Sequence, residues 1–118
     1  MSEIANSVHE ILKALFPRYT IIPELYVNYR NTKLFFDFYI KEFNLYVEVQ
    51  GQQHVKFNLH FHGTKERFLN QKKRDNLKIE YIQQDNTRSL VRFYYNEKIS
   101  GAFVKEKINK ALDRGFYE

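Results

Sequence analysis

The sequence predicts a single α/β domain built around a mixed β-sheet. A length of 118 residues suits one hydrophobic core. Apolar stripes at helical spacing alternate with β-branched and aromatic runs, in the order helix, three strands, helix, strand, helix. The first three strands are expected to form a meander. The helical crossover before the fourth strand lets that strand run parallel to a neighbour, with helices covering the sheet.

The first half of the chain is divided by proline, glycine and asparagine. Pro17 closes the first helix, and Pro23 in "YTIIPELYVNY" favours an edge strand or a bulge. A polar turn over residues 28–33 precedes the second strand, "KLFFDFYIKEF", and Asn44 marks the turn into "LYVEVQG", which Gly51 ends. The apolar stripe of the first helix consists of Ile4, Val8, Ile11, Leu12 and Leu15.

The second half contains two helices around one strand. Residues 52–63 show no period and are expected to form an irregular loop, whereas residues 64–84 show helical spacing. The fourth strand is "SLVRFYY", and "SGAFVKEKINKALDRG" is a closing helix with Gly115 as its C-terminal cap. No repeat or linker interrupts residues 1–118, which we interpret as one domain.

The composition limits the cellular setting and the class of partner. The formal net charge of +5 and a pI near 9.4 favour a polyanionic partner, most often nucleic acid. With no cysteine in the chain, disulfides and thiolate zinc sites are excluded. No apolar stretch approaches a membrane span and no signal-peptide core is present, so we expect a soluble cytoplasmic protein without membrane association.

Two acidic residues lie in strands that are otherwise apolar. Asp37 is surrounded by aromatic residues in "FFDFY", and Glu48 shares a strand face with Gln50 two residues later. A hairpin turn over residues 41–44 brings Asp37 and Glu48 side by side, where two carboxylates repel each other unless a cation lies between them. Mg²⁺ suits this arrangement, because it takes oxygen ligands from one or two carboxylates together with phosphate and water.

A purely structural interpretation of these carboxylates is also open. Asp37 can be a surface residue of an edge strand, and Glu48 can pair with a lysine. The neighbouring residues favour a site, because Gln50 and His54 follow within one short segment and a basic helix comes next.

The ordered set "FDFYI", "EVQGQQH", "FHG" and D-x-x-K resembles a nuclease family. It is similar to the PD-(D/E)xK superfamily, in the branch of very short patch repair (Vsr) endonucleases and phage mobile-intron homing endonucleases. That branch has a Glu–Asp–x–His–Asp pattern. Here "FDFYI" supplies Asp37, "EVQGQQH" supplies Glu48, the variable Gln50 and His54, and "QKKRDNLK" supplies Asp75. The resemblance implies a restriction-endonuclease-like αβββαβ core.

The sequence departs from the superfamily pattern at two places. Gln50 stands where the superfamily has a lysine, and Lys78, three residues after Asp75 on the same helix face, is the expected substitute. The first glutamate of the pattern has two candidates in the first helix, Glu3 and Glu10, which both lie opposite the apolar stripe. We take Glu10 as the candidate.

The resemblance covers residues 34–95 and implies a metal-dependent DNA endonuclease that hydrolyses a phosphodiester. Asp37, Glu48 and the backbone carbonyl of Val49 are then expected to hold Mg²⁺, with Mn²⁺ as a substitute. Such a metal polarises the scissile phosphate and lowers the pKa of a bound water.

The other matched residues acquire roles from the same resemblance. His54 is expected to act as general base or acid, since its ordinary pKa suits proton transfer near neutral pH. Gln50 orients the water, and Asp75 either fixes the tautomer of His54 or approaches the metal. The alternatives for His54 are a hydrogen-bonded loop histidine and a zinc site shared with His60 and His62. HNH and GIY-YIG nuclease motifs fit poorly.

A basic run on the second helix lies beside Asp75 and is expected to contact the phosphate backbone of double-stranded DNA. The alternative is an ordinary solvated helix face. The predicted DNA-binding residues are Lys65, Arg67, Lys72, Lys73 and Arg74.

No sequence-reading motif is present, so the domain is expected to be the catalytic part of a longer protein or a nicking enzyme. A double-strand break then requires a homodimer or two successive nicks. Two other functions remain open: a nuclease-fold domain that binds nucleic acid without cleaving it, for which Gln50 is the main support, and a protein–protein module.

Overall fold

The computed structural model describes residues 2–50 and 64–118, which form an α/β domain with a mixed sheet. Five strands lie in the order β1-β2-β3-β4-β5, and the predicted α/β class is confirmed. Of the residues described, none belongs to a helix long and apolar enough to cross a membrane. The elements are α1 (Glu3–Leu15), β1 (Ile21–Tyr29), β2 (Thr32–Ile40), β3 (Leu45–Gln50), α2 (Lys65–Gln83), β4 (Ser89–Tyr94), α3 (Gly101–Arg114) and β5 (Phe116–Tyr117).

Side-chain caps fix the starts of the helices. The Ser2 hydroxyl accepts the N–H of Ala5 at 3.2 Å, and the Ser100 hydroxyl accepts the N–H of Phe103 at 3.2 Å. At its other end α3 stops at Gly115, whose φ of 84° lies in the left-handed region and whose N–H returns to the Ala111 carbonyl. The predicted C-terminal cap is therefore confirmed.

The predicted meander of β1, β2 and β3 is confirmed as two antiparallel pairs. Arg30 and Asn31 form the first turn with φ values of 51° and 59°, the conformation of a tight hairpin that matches strand twist. A short 3₁₀ turn, Lys41–Phe43, makes the second connection and ends at Asn44 with φ 49°. β1 lies at the edge of the sheet, the position where strands tolerate a proline such as Pro23.

The chain then crosses over through α2, and β4 pairs parallel to β3, as expected from a helical crossover. The sequence-based element order lacks β5, which adds to the far side of β4 in parallel. Its two residues, Phe116 and Tyr117, are too few to show a strand pattern, and only their pairing with Leu90 and Val91 defines them.

The two faces of the sheet carry different cores. The core under α1 and α3 consists of apolar residues, with Lys107 of α3 buried beside it, and the core under α2 is aromatic, with Asp75 and Lys78 buried beside it. The first core contains Val8, Leu12, Phe38, Ile40, Leu45, Val47, Val91, Phe93, Val104, Ile108 and Ala111. The second contains Leu34, Phe36, Tyr46, Tyr81, Ile82 and Leu90.

β2 changes the face it presents at Asp37. Phe36 belongs to the core under α2, whereas Phe38 belongs to the core under α1 and α3. Residues two apart in a regular strand share a face, so the strand must rotate between these two phenylalanines. The pairing of β2 with β3 covers only residues 38–40 against 45–47. Beyond Phe38, β2 continues as a ribbon with β1.

Candidate functional site

Asp37 lies where the β2–β3 ladder ends. The last pair of that ladder is Phe38 with Val47, so one further step in register places Asp37 opposite Glu48. The sequence-based expectation that the hairpin brings these carboxylates side by side agrees with this register. The ladder does not continue through them, because the Asp37 Oδ2 accepts the backbone N–H of Val49 at 2.8 Å. A side chain thus replaces the neighbouring strand as hydrogen-bond acceptor.

The edge strand is also irregular at this level. Pro23 pairs with Phe38 and Leu25 pairs with Phe36, so Glu24 lies at the register position of Asp37. Glu24 has a φ of 55°, in the left-handed region that side chains disfavour. The departure from regular strand geometry therefore spans β1 and β2 together.

Glu48 is buried, and its carboxylate is paired with two positively charged side chains. Its side chain is 5% exposed, the Lys78 Nζ contacts Oε1, and the Arg92 Nε lies 3.2 Å from Oε2. Glu48 and Arg92 are direct partners in the parallel β3–β4 register. Both carboxylate oxygens are satisfied, which offsets the desolvation cost of a buried carboxylate.

Lys78 reaches Glu48 from α2. It follows Asp75 by three residues, both are buried on the underside of the helix, and the Lys78 ammonium lies 5.4 Å from the centre of the Phe36 ring. The structure therefore brings the expected substitute for the missing strand lysine to the acidic pair. The same contact is the lysine partner that the purely structural interpretation of Glu48 requires.

Arg92 was missed by the sequence-based prediction. It is 5% exposed, its Nη2 donates to the Asp75 backbone carbonyl at 3.1 Å, and its Nη1 lies 3.8 Å from the Glu118 Oε2. The available signal was a charge inside the apolar run "SLVRFYY", two residues after Leu90 and thus on the same strand face. Only the parallel register identifies Glu48 as its partner.

Gln50 ends β3 on the same face as Glu48. Its residue is 4% exposed, and its amide nitrogen has no hydrogen-bond partner among the described residues. Buried amide donors are ordinarily hydrogen-bonded, so an acceptor from outside the described residues is expected at this position. His54, together with His60 and His62, lies outside the described residues, so its expected roles stay predictions.

Glu10 is not brought to this cluster. Its side chain is 72% exposed on α1, and its carboxylate lies 2.8 Å from the Lys13 ammonium on the same helix. The hydrogen bond and charge of Lys13 lower the pKa of Glu10. Because α1 packs on the sheet face opposite α2, the described contacts do not link Glu10 to Glu48.

The basic residues lie along the N-terminal half of α2. Lys72 is half-buried, with its ammonium 5.7 Å from the centre of the Phe68 ring, and it precedes Asp75 by three residues on one side of the helix. Lys72 therefore lies on the side of α2 that also carries the buried residues Asp75 and Lys78. The other predicted DNA-binding residues, Lys65, Arg67, Lys73 and Arg74, are exposed.

The donor chemistry of Asp37, Glu48 and the Val49 carbonyl fits a hard divalent cation. All three supply oxygen, and Mg²⁺ commonly uses one or two carboxylates and completes its shell with water and phosphate. Residues 2–50 and 64–118 contain no group of three or more His, Cys, Asp and Glu side chains able to hold a metal. Within these described residues, such a cation would have Asp37 and Glu48 as its carboxylate ligands and would share Glu48 with Lys78 and Arg92.

Comparisons with known proteins give a distant similarity to a viral protein. No family model matches the chain, and no solved structure matches it. The chain is 38% identical over 78 residues to "Uncharacterized protein 307L" of Invertebrate iridescent virus 6, an alignment that covers 66% of this chain. It spans only 39% of the length of that viral protein, whose name assigns it no activity.

Proposed function

We propose that this domain is a Mg²⁺-dependent DNA endonuclease that hydrolyses a phosphodiester bond. The observation that carries the proposal is the meeting of Lys78 with Glu48 at the end of the β2–β3 ladder, one register step from Asp37. Two carboxylates and an ammonium from three separate elements are thereby concentrated at one point of the sheet. The nuclease resemblance assigns the acidic pair and the lysine to the same chemistry.

In the proposed site Asp37, Glu48 and the Val49 carbonyl hold the cation, which supplies Lewis acidity and a bound water of lowered pKa. The Asp37 carboxylate is oriented by the Val49 N–H. Lys78 holds Glu48 in place and adds a positive charge beside the position of the scissile phosphate. The Gln50 amide nitrogen, which has no hydrogen-bond partner among the described residues, is a donor for the attacking water or a phosphate oxygen.

Two further residues carry proposed roles. His54 moves the proton, because an imidazole exchanges protons readily near neutral pH. Asp75, three residues from Lys78 on the underside of α2, either fixes the tautomer of His54 or adds to the negative charge of the site. The imidazole of His54 and the carboxylate of Asp75 complete the Asp–x–His–Asp part of the pattern.

The exposed cations of α2 are proposed to bind the DNA backbone. Lys65, Arg67, Lys73 and Arg74 are exposed on this helix, and Lys72 lies on the side that leads to Asp75. The net charge of +5 supports a polyanionic partner. These contacts carry no sequence information, so the domain binds duplex DNA with a strong dependence on salt.

The test is cleavage of supercoiled plasmid with Mg²⁺ or Mn²⁺, compared with EDTA, for the wild type and for Asp37→Asn. Asp113→Asn is the matched control, because it makes the same chemical change at an exposed position of α3. Nicked or linear product with metal, absent in EDTA and in Asp37→Asn but present in Asp113→Asn, supports the endonuclease. Equal cleavage by Asp37→Asn contradicts the site.

A second candidate function is a nuclease-fold domain that binds nucleic acid and has no activity. Two observations favour it: Gln50 replaces the strand lysine, and both oxygens of Glu48 are already paired with cations. This candidate predicts salt-sensitive DNA binding without metal-dependent cleavage in the same assay. A protein–protein module predicts neither DNA cleavage nor salt-sensitive DNA binding.

A further inference from the structure

We propose that Arg92 is a positioning residue that sets the divalent-metal affinity of the acidic pair by competing for Glu48. The inference rests on the proposed function, since it assumes that Glu48 binds a cation. It assigns a role to a residue outside the motif, on a strand that supplies none of the proposed ligands.

The geometry links Arg92 to three parts of the site. Its Nε donates to Glu48 on β3, its Nη2 donates to the Asp75 carbonyl on α2, and its Nη1 faces Glu118. The guanidinium is 5% exposed, so solvent screens these interactions weakly. One buried side chain thus connects the ligand strand, the helix that carries Lys78 and an acidic residue beyond α3.

Competition follows from the contact with Glu48. A cation that binds Oε2 has to share this oxygen with the Arg92 Nε, which now lies 3.2 Å away. An arginine cannot be deprotonated in a protein, so pH does not remove this competitor. The competition lowers metal affinity when DNA is absent. When DNA is bound, its phosphate oxygens are additional acceptors for the metal ion and for Arg92, so their competition for Glu48 is weaker.

Glu118 adjusts the strength of this competition. Its Oε2 lies 3.8 Å from the Arg92 Nη1, and the same atom accepts the hydroxyl of Tyr94. The guanidinium is therefore shared between two carboxylates, Glu48 and Glu118. Removing the charge of Glu118 leaves more of the interaction of Arg92 to Glu48, which disfavours the metal.

Arg88 is a suitable control residue for Arg92. Arg88 donates from Nη1 to the Tyr81 carbonyl at 2.8 Å and stacks 3.9 Å from the centre of its ring. Like Arg92, it ties a backbone carbonyl of α2 to the region of β4. It does so near the other end of the helix, against Tyr81 rather than Glu48, so a purely structural role predicts similar behaviour for both arginines.

The experiment measures Mn²⁺ binding to the full chain without DNA, by electron paramagnetic resonance of the free ion. Arg92→Met is expected to bind Mn²⁺ about tenfold more tightly, because a weakly screened positive charge leaves Glu48. Arg92→Lys keeps the charge and is expected to stay within about twofold of the wild type. Arg88→Met is expected to match the wild type, although both methionine variants lower the melting temperature.

The cleavage rate of Arg92→Met is expected to fall, although its metal affinity rises. At saturating Mg²⁺, plasmid cleavage by Arg92→Met should be about tenfold slower or more, because the tie to the Asp75 carbonyl is lost and α2 is less well positioned. Tighter metal binding combined with slower cleavage is a combination that simple loss of folding does not produce.

A second variant covers the case in which Arg92→Met fails to fold. Glu118→Gln changes an exposed residue and is expected to weaken Mn²⁺ binding about twofold to threefold. Glu106→Gln, which removes an exposed carboxylate paired with Lys110, is the charge-matched control and should have a smaller effect. Unchanged affinity in Glu118→Gln, or equal affinity in Arg92→Met and Arg88→Met, overturns the role of Arg92. If the wild type neither binds Mn²⁺ nor cleaves, the proposed function fails as well.

Discussion

The Asp37 carboxylate accepts the backbone N–H of Val49 at 2.8 Å, in the place where a continued β2–β3 ladder would supply a backbone acceptor. One side chain therefore both ends the strand pairing and remains next to the position of Glu48. One carboxylate oxygen of Asp37 is thus committed to the Val49 N–H.

Asp37→Asn is expected to reduce metal affinity by a factor of about 10² or more, because the cation loses one of two charged ligands. The fold should survive, since the amide oxygen of asparagine can still accept the Val49 N–H. Isothermal titration with Mn²⁺ and a thermal melt measure the two quantities on the same sample. A normal titration curve for this variant would remove Asp37 from the ligand set.

Lys78→Met is expected to lower the free energy of unfolding by about 2–4 kcal/mol, because it leaves a buried carboxylate with one cation instead of two. The cleavage rate should fall while DNA affinity stays within a few fold, since Lys78 is buried against Glu48 and the exposed cations of α2 remain to bind the phosphate backbone. Urea denaturation and a filter-binding assay separate the effects. Lys105→Met, at an exposed position of α3, is the control for loss of one positive charge.

Lys72→Ala combined with Lys73→Ala is expected to weaken DNA binding for all sequences and to flatten the salt dependence by about one unit per lost phosphate contact. The physical reason is that each lysine bound to phosphate releases condensed counterions. Fluorescence anisotropy with a labelled duplex at several salt concentrations gives the slope. An unchanged slope would place this part of α2 away from the DNA.

Stability at acid pH should depend on Glu42. Its two carboxylate oxygens accept the N–H and hydroxyl of Thr20 at 2.7 and 2.8 Å, and these bonds lower the pKa of Glu42 from its ordinary value of 4.5. A depressed pKa means that the folded state binds the proton less well than the unfolded state. The stabilisation is therefore present above pH 4.5 and is lost as pH falls through the lowered pKa.

Glu42→Gln is accordingly expected to lower the melting temperature at pH 7 by no more than about 3 °C, because an exposed contact contributes little. The difference from the wild type should shrink as pH falls below 4.5. Thr20→Ala keeps the backbone donor and loses only the hydroxyl, so it should show a smaller difference of the same sign. A gap that grows towards acid pH would contradict this interpretation.

The sequence predicts the regular helices and strands of this fold, because their hydrophobic periodicity and the Pro, Asn and Gly residues at their ends are visible in the sequence. Pro17, Asn44 and Gly115 fall at or just beyond the ends of elements, and the crossover helix makes β4 parallel to β3. The two-residue β5 has no period to detect. The rotation of β2 at Asp37 is also absent from the pattern, because alternation of aromatic residues on both faces of "LFFDFYI" is compatible with either orientation.

The candidate site was predictable where residues are close along the hairpin and less so where they meet across the crossover. Asp37 and Glu48 follow from turn length, and Lys78 follows from its helical spacing to Asp75. Arg92 is far from Glu48 in the chain, and their contact depends on the register of a parallel pair, which hydrophobic pattern alone does not fix.

The underside of α2 joins the sheet through charges as well as through apolar contacts, since Asp75 and Lys78 are buried there beside Tyr81 and Ile82. The order in which α2 unfolds relative to the rest of the domain should consequently depend on whether the denaturant is ionic. Guanidinium chloride screens the Lys78–Glu48 pair as soon as water enters, whereas uncharged urea leaves the attraction intact. In guanidinium chloride α2 should lose protection from hydrogen exchange before α1, whose buried residues are all apolar, and in urea the two transitions should lie closer together.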